Sequence, residues 1–110
     1  MTKAKNLARL GQVAQLILDV KLAALQKAAK KRQHSLDLLN DLNRATSVAD
    51  LPLVVAYEAD LRYQNWADKR RAEINYNLAR QTADMLAARD DASQAFGKYQ
   101  SLRGLQSKQR

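Results

Sequence analysis

The stretch Ala45-Thr46-Ser47-Val48-Ala49-Asp50-Leu51-Pro52 separates two long segments that contain no proline. Ser47 and Asp50 lie three residues apart and form a helix start similar to a capping box. Pro52 suits the first turn of a helix because its missing N–H would have no partner there, and Leu51 before it is pushed out of helical geometry. The stretch therefore predicts a loop that ends one long helix and begins another.

Composition agrees with two long helices. The chain has 110 residues, no cysteine, one proline and three glycines, so turn formers are too few for a fold of many short elements. We predict an all-α single domain over residues 1–110, with a first helix over about 4–45, a loop over about 46–51 and a second helix over about 52–107. So short a connection makes the helices antiparallel neighbours in a coiled-coil hairpin.

Both segments carry apolar side chains at alternating spacings of four and three residues, the pattern of a coiled-coil seam. The predicted seam is Leu18, Leu22, Leu25, Ala29, Arg32, Leu36 and Leu39 in the first helix, and Ala67, Arg71, Ile74, Leu78, Gln81, Met85, Ala88, Ala92, Ala95, Tyr99 and Leu102 in the second. A tight turn near residues 48 and 49 would place Leu36 opposite Leu61 and Leu18 opposite Ala79. Residues 96–110 would then extend beyond the start of the first helix.

The first helix is apolar on more than its predicted seam. Further apolar side chains lie at Leu10, Val13, Leu16, Ile17 and Val20. One interpretation is a wide apolar stripe covered by the stems of lysines and arginines. The interpretation that we favour is a second binding face, which meets either another copy of the chain in a four-helix bundle or a different protein.

Catalytic and cofactor-binding patterns are missing from the sequence. His34 is the only histidine, and nothing beside it marks a nucleophile. The three glycines are far apart and form no phosphate-binding loop. We therefore predict no catalytic, cofactor-binding or metal-binding residues and no enzymatic activity.

The N-terminal segment bears on localisation. Residues 1–18 contain no acidic side chain and resemble an organelle presequence, but the helical pattern continues through them, so we expect them to belong to the mature fold. No apolar run approaches the ~20 residues that cross a bilayer. We expect a cytoplasmic protein without membrane insertion.

The net charge of +8 is unevenly distributed along the chain. In the predicted register, two basic clusters converge on a mid-hairpin basic belt with two aromatic neighbours: Lys27, Lys30, Lys31, Arg32, Tyr63, Trp66, Lys69, Arg70 and Arg71. A second basic group lies where the chain ends meet: Lys3, Lys5, Arg9, Lys98, Arg103, Lys108 and Arg110. The loop end is acidic: Asp37, Asp41, Asp50, Glu58 and Asp60. The belt predicts a partner-binding surface.

Two kinds of partner fit a basic belt with aromatic neighbours. Nucleic acid is one, because basic side chains neutralise phosphates and aromatic rings stack on bases. An acidic protein surface is the other, with Trp66 as a buried anchor. One end of the predicted hairpin is basic and the other acidic, which favours docking between protein partners. Nucleic-acid binding by a homodimer is the alternative function. A structural dimerisation module is a third option.

Three segments carry a resemblance to a known family. They are Leu7-xx-Leu10-xx-Val13, Lys21-xxx-Leu25-xx-Ala28 and Arg62-xxx-Trp66-xxx-Arg70-Arg71, which opens the second helix. With the short tip between the helices, the pattern resembles the FliJ family of flagellar export proteins and its YscO-type counterparts in virulence (type III) secretion. The resemblance implies a small cytoplasmic coiled coil similar to the stalk of rotary ATPases. Such a stalk would link a hexameric export ATPase to the export gate at the membrane.

Overall fold

A computed structural model describes residues 2–44 and 53–108 of the chain. They form two helices, α1 (Thr2–Arg44) and α2 (Leu53–Lys108), and no strand occurs in these two ranges. The all-α prediction of a helical hairpin is confirmed, and the helix ends fall within two residues of the predicted ones. The predicted loop, with Ser47, Asp50 and Pro52, lies outside the described residues.

Contacts divide the chain into two compact units, each built from both helices. The first unit comprises Met1–Lys30 and Ala83–Arg110, and the second comprises Lys31–Thr82. Whether the chain behaves as a single domain stays a prediction.

The second unit has a small apolar core where α1 and α2 pack. Leu42, Ala67 and Ile74 are buried there, and Ala67 is completely inaccessible to solvent. Tyr63 packs against this core and its hydroxyl donates a hydrogen bond to the Leu42 carbonyl at 2.9 Å. An alanine at the centre of the core lets the two backbones approach closely, which a larger residue would prevent.

The buried line of α1 differs from the predicted seam at every second position. The residues that α1 turns toward α2, the inner seam, are buried or half-buried and keep the alternating spacing: Leu7, Gly11, Ala14, Leu18, Lys21, Leu25, Ala28, Arg32, Ser35, Leu39 and Leu42. Leu22 was predicted in the seam and is 48% exposed, so that assignment is wrong. Small or polar side chains such as Ala28 and Ser35 occupy the line instead, with Ala29 and Leu36 half-buried beside it. All eleven predicted seam residues of α2 are buried or half-buried, which confirms that seam.

The predicted pairing register is wrong by about five turns of helix. Ser35 Oγ donates to Gln81 Oε1 at 2.6 Å, whereas the prediction placed a residue near 62 opposite Ser35. The error arose because pairing was counted from a tight turn. Among the described residues, hydrogen bonds between α1 and α2 begin only at Tyr63, well inside α2.

The predicted overhang of residues 96–110 is also wrong. In the first unit Gln106 Nε2 donates to the Leu7 carbonyl at 2.9 Å, so the end of α2 packs on the start of α1. Tyr99 and Leu102 are half-buried in the same unit. Lys21 and Asp91 lie 3.9 Å apart across the helices, in a solvent-exposed ion pair that contributes little to stability.

Gly11 and Gly97 give a matched test of this packing. A Cβ on Gly11 would overlap the amide of Gln106, whereas one on Gly97 meets nothing within 4 Å. Gly97→Ala should stabilise the chain by ~0.5–1 kcal/mol through helix propensity alone. Gly11→Ala should change the free energy of unfolding by less than ~0.5 kcal/mol, because the displaced Gln106 amide loses its hydrogen bond to Leu7.

Urea unfolding followed by circular dichroism measures both effects. In a Gln106→Ala background, Gly11→Ala should raise the free energy of unfolding nearly as much as Gly97→Ala does in the unmodified chain. An equal gain at both glycines in the unmodified chain would contradict the Gln106 contact.

Neither α1 nor α2, as described, contains a stretch both long and apolar enough to cross a membrane.

Candidate partner-binding surfaces

The predicted second apolar face is exposed in the first unit. We define the α1 stripe as Leu10, Val13, Leu16, Ile17 and Val20. Their exposed fractions run from 48% at Ile17 to 65% at Leu16 and Val20. Lysine and arginine stems therefore do not cover these side chains, which was the other interpretation of the sequence. Whether a partner binds the stripe stays a prediction.

The α1 stripe and the inner seam lie side by side on one helix. Leu18, in the inner seam, is 5% exposed, whereas Ile17, one residue earlier and 100° around the helix, is half exposed. Leu10, Val13, Ile17 and Val20 repeat at spacings of three, four and three, so they form a second coiled-coil-like row. One apolar row of α1 is thus occupied by α2 and the other is open.

Acidic side chains are few around the α1 stripe: Asp19 lies three residues after Leu16 at its edge, and Asp91 pairs with Lys21, the residue after Val20. Asp19 is the only acid among the first 30 residues, and its Oδ1 accepts a 2.9 Å hydrogen bond from Gln15 Nε2. Gln15 and the α1 stripe lie on opposite sides of the inner seam, and Gln15 lines a groove with Gly11 and Tyr99. Arg9 and Lys27 are exposed and border the α1 stripe at its two ends.

The two units differ strongly in charge. Residues of the first unit include 11 lysines and arginines against four aspartates, whereas the second unit holds eight basic and seven acidic side chains. Nearly all of the net charge of +8 therefore belongs to the first unit. Its basic residues include the predicted terminal group, of which Arg110 lies outside the described residues.

Both units have an open groove that could accept a side chain. In the first unit a groove of about 480 Å³ is lined partly by Tyr99, Arg103 and Gln106, with the Arg103 guanidinium 5.9 Å from the Tyr99 ring centre. In the second unit a groove of about 340 Å³ is lined partly by Tyr63 and Trp66. The Tyr63 and Trp66 rings lie 5.8 Å apart, and Trp66 is 56% exposed.

The basic belt does not form as predicted, because its convergence depended on the wrong register. In the second unit Arg32 Nε donates to Thr82 Oγ1 at 3.0 Å, whereas Arg71 Nε donates to Asn43 Oδ1 at 3.1 Å. Those two contacts lie eleven residues apart on α1, or roughly 16 Å.

The other members of the predicted belt are mainly exposed. Arg70 Nη1 forms an ion pair with Glu73 at 3.2 Å, and Arg71 Nη1 one with Asp68 at 3.0 Å. The lysines of the belt are exposed: Lys27 and Lys30 in the first unit, and Lys31 and Lys69 in the second. Binding by these residues stays a prediction.

His34 is exposed and lines neither groove. Over residues 2–44 and 53–108, no three histidine, aspartate or glutamate side chains cluster as a metal site would require. What the surfaces offer chemically is apolar area, guanidinium groups and amides, which suit contact with another macromolecule.

No protein-family model, curated protein or solved structure matches this chain.

Sequence reasoning missed a polar layer within the second unit. Ser35 is 5% exposed and bonded to Gln81, and Arg32 is bonded to Thr82. Thr82 in turn donates to the Leu78 carbonyl at 2.8 Å. The signal was present, since Arg32 and Gln81 interrupt otherwise apolar seams, and polar residues at such positions commonly specify how helices pair.

Proposed function

We propose that this chain is a non-enzymatic coiled-coil adaptor of the export-stalk type, which links a hexameric secretion ATPase to the export gate from the cytoplasm. The observation that carries the proposal is the exposed α1 stripe on a helix whose other apolar row is already packed. A soluble two-helix hairpin keeps such a row of side chains open at a cost in solubility, which a binding function explains.

Two further features support the stalk assignment. Trp66, in the stretch that resembles the FliJ and YscO-type proteins, points largely into solvent beside Tyr63. The concentration of positive charge in the first unit would suit an acidic ring lumen, because complementary charge steers association and orients the bound partner.

Co-purification tests the proposal directly. The full chain should bind a secretion ATPase at low salt, either flagellar or of the virulence type, and should raise its hexamer assembly or turnover several-fold. A Trp66→Ala variant should lose at least about tenfold in affinity, as central aromatic anchors do. The matched control is Tyr76→Ala, because Tyr76 is a 67% exposed aromatic of the second unit that lines neither groove. Absence of binding to both classes of ATPase at low salt would refute the stalk assignment.

Nucleic-acid binding is the second candidate, and the exposure of the lysines of the predicted belt, Lys27, Lys30, Lys31 and Lys69, favours it. It predicts an affinity for RNA or DNA that falls steeply with salt, and loss of binding when Lys30, Lys31, Arg70 and Arg71 become Glu. Light scattering on the same samples addresses homodimerisation, which both this candidate and a bare dimerisation module require. An unchanged mobility of nucleic acid at low salt would exclude this second candidate.

A further inference from the structure

We propose that the α1 stripe is the docking surface for an acidic amphipathic α-helix of a partner protein. This inference rests on the proposed adaptor function and names the class of partner that the first unit binds. Three observations support it: the spacing of the exposed row, the small number of acidic side chains in the first unit, and the lack of a matching apolar row on the neighbouring surface of α2.

The spacing of the α1 stripe fits a helix. Leu10, Val13 and Ile17 stand three and four residues apart, so their side chains form the row of knobs that a second helix accepts into its holes. From Leu10 to Val20 the row extends roughly 15 Å, about three helical turns. A patch that binds a flat apolar surface does not require spacings of three and four residues, whereas packing against a second helix does.

The charge around the α1 stripe fits an acidic partner. Arg9 and Lys27 border it, and the sole acid of the first 30 residues, Asp19, lies beside Leu16 and away from the row of Leu10, Val13, Ile17 and Val20, hydrogen-bonded to Gln15. A helix carrying glutamates beside its apolar row would place them near Arg9 and Lys27. A helix carrying lysines there would be repelled, because the first unit holds 11 basic side chains against four acidic ones.

A second copy of this chain fits the α1 stripe poorly. Two copies would bring together two units that each hold 11 basic and only four acidic side chains. A four-helix bundle also needs apolar rows on both helices of each hairpin. In the described part of the first unit, the large exposed apolar side chains of α2 are Leu86, Phe96 and Leu105, which are nine and ten residues apart and form no row.

A membrane surface is likewise a poorer occupant. Interfacial helices commonly combine leucine with tryptophan or phenylalanine in the apolar face, and the tryptophan ring anchors at the headgroups. The α1 stripe holds only leucine, valine and isoleucine, the residues that dominate coiled-coil rows.

Two fluorescein-labelled peptides of three heptads test the inference with the full chain. They share one leucine and isoleucine row, and the flanking positions are glutamate in one and lysine in the other. Anisotropy titration at low salt should show binding of the glutamate peptide, with an affinity at least about tenfold higher than that of the lysine peptide. Binding of both peptides with equal affinity, or of neither, would overturn the inference.

Variants locate the binding surface. Val13→Gln combined with Ile17→Gln should lower the affinity for the glutamate peptide at least about tenfold. The control Leu86→Gln, at an exposed leucine of α2 in the same unit, should leave this affinity unchanged.

Charge variants test the flanking residues. Arg9→Gln with Lys27→Gln should lower the affinity for the glutamate peptide and make it less dependent on salt, whereas Lys30→Gln with Arg89→Gln should have less effect. Circular dichroism confirms that each variant keeps its helicity. Equal losses in the control variants would overturn the inference.

The other occupants give distinct outcomes. Light scattering that shows a dimer dissociated by Val13→Gln and Ile17→Gln would assign the α1 stripe to a second copy. Binding to anionic phosphatidylserine vesicles that the same variant abolishes, without binding of the glutamate peptide, would assign it to a membrane. If the glutamate peptide binds but no secretion ATPase does, the stalk assignment is refuted and the inference of a helix-docking surface is supported.

Discussion

Leu18→Ala should destabilise the chain by ~2–4 kcal/mol, whereas Leu16→Ala should change its stability by less than ~0.5 kcal/mol. The two leucines are two residues apart in α1 and undergo the same substitution. Leu18 is 5% exposed in the inner seam, and its truncation leaves a cavity against α2 that the neighbouring side chains cannot fill. Leu16 belongs to the α1 stripe and is 65% exposed, so the loss of its methyl groups removes little packing.

Urea unfolding at several protein concentrations measures this difference. The midpoint for Leu18→Ala should fall strongly, and neither variant should show a dependence on concentration if the free chain is a monomer. A large cost at Leu16 that shrinks on dilution would mean that the α1 stripe is covered by a second copy in solution. That result would also contradict the assignment of the stripe to a partner helix.

The helices were predictable because their signals are local. Two segments without proline, rich in alanine and leucine, define α1 and α2 to within two residues. The seam of α2 was predictable as well, since apolar or small residues such as Ile74, Ala92 and Ala95 recur along it with few competitors. Local propensity and periodicity act within one helix and require no knowledge of its partner.

The register was not predictable because a heptad row looks alike after each slip of seven residues. Counting from a tight turn gave a single answer, but the side chains that fix the pairing are the polar ones. Ser35 and Gln81 select one register through a buried hydrogen bond, and their significance appears only when both helices are seen together. The basic belt failed for the same reason, since its two clusters converge only in the predicted register.

The seam of α1 was predicted wrongly at alternate positions because the more hydrophobic of two neighbouring residues was assigned to the seam. Leu22 is more apolar than Lys21, yet Lys21 is the half-buried residue of the two. A lysine can bury its stem and keep its ammonium in water, here beside Asp91. The exposed α1 stripe was nevertheless foreseen, because an apolar surplus on a helix with one partner indicates a second face.

The polar layer of the second unit should act as one energetic unit. Ser35→Ala leaves Gln81 Oε1 without its donor, and Gln81→Leu leaves the buried Ser35 hydroxyl without its acceptor. Each single substitution should cost ~1–2 kcal/mol of unfolding free energy. The double variant should return to within ~0.5 kcal/mol of the unmodified chain, because apolar groups of similar shape then face each other and no polar group is left unpaired.

Restored stability in the double variant should come with a loss of register specificity. Ser35 and Gln81 can bond only when the helices pair as observed, whereas alanine and leucine pack acceptably after a slip of one heptad. The chain contains no cysteine, so Asn43→Cys with Arg71→Cys reports the native register through a short thiol cross-linker. Cross-linking should be nearly complete with the polar layer intact and should drop at least twofold when it is apolar. Undiminished cross-linking in the apolar variant would show that the surrounding packing of Leu42, Ala67 and Ile74 sets the register without the layer.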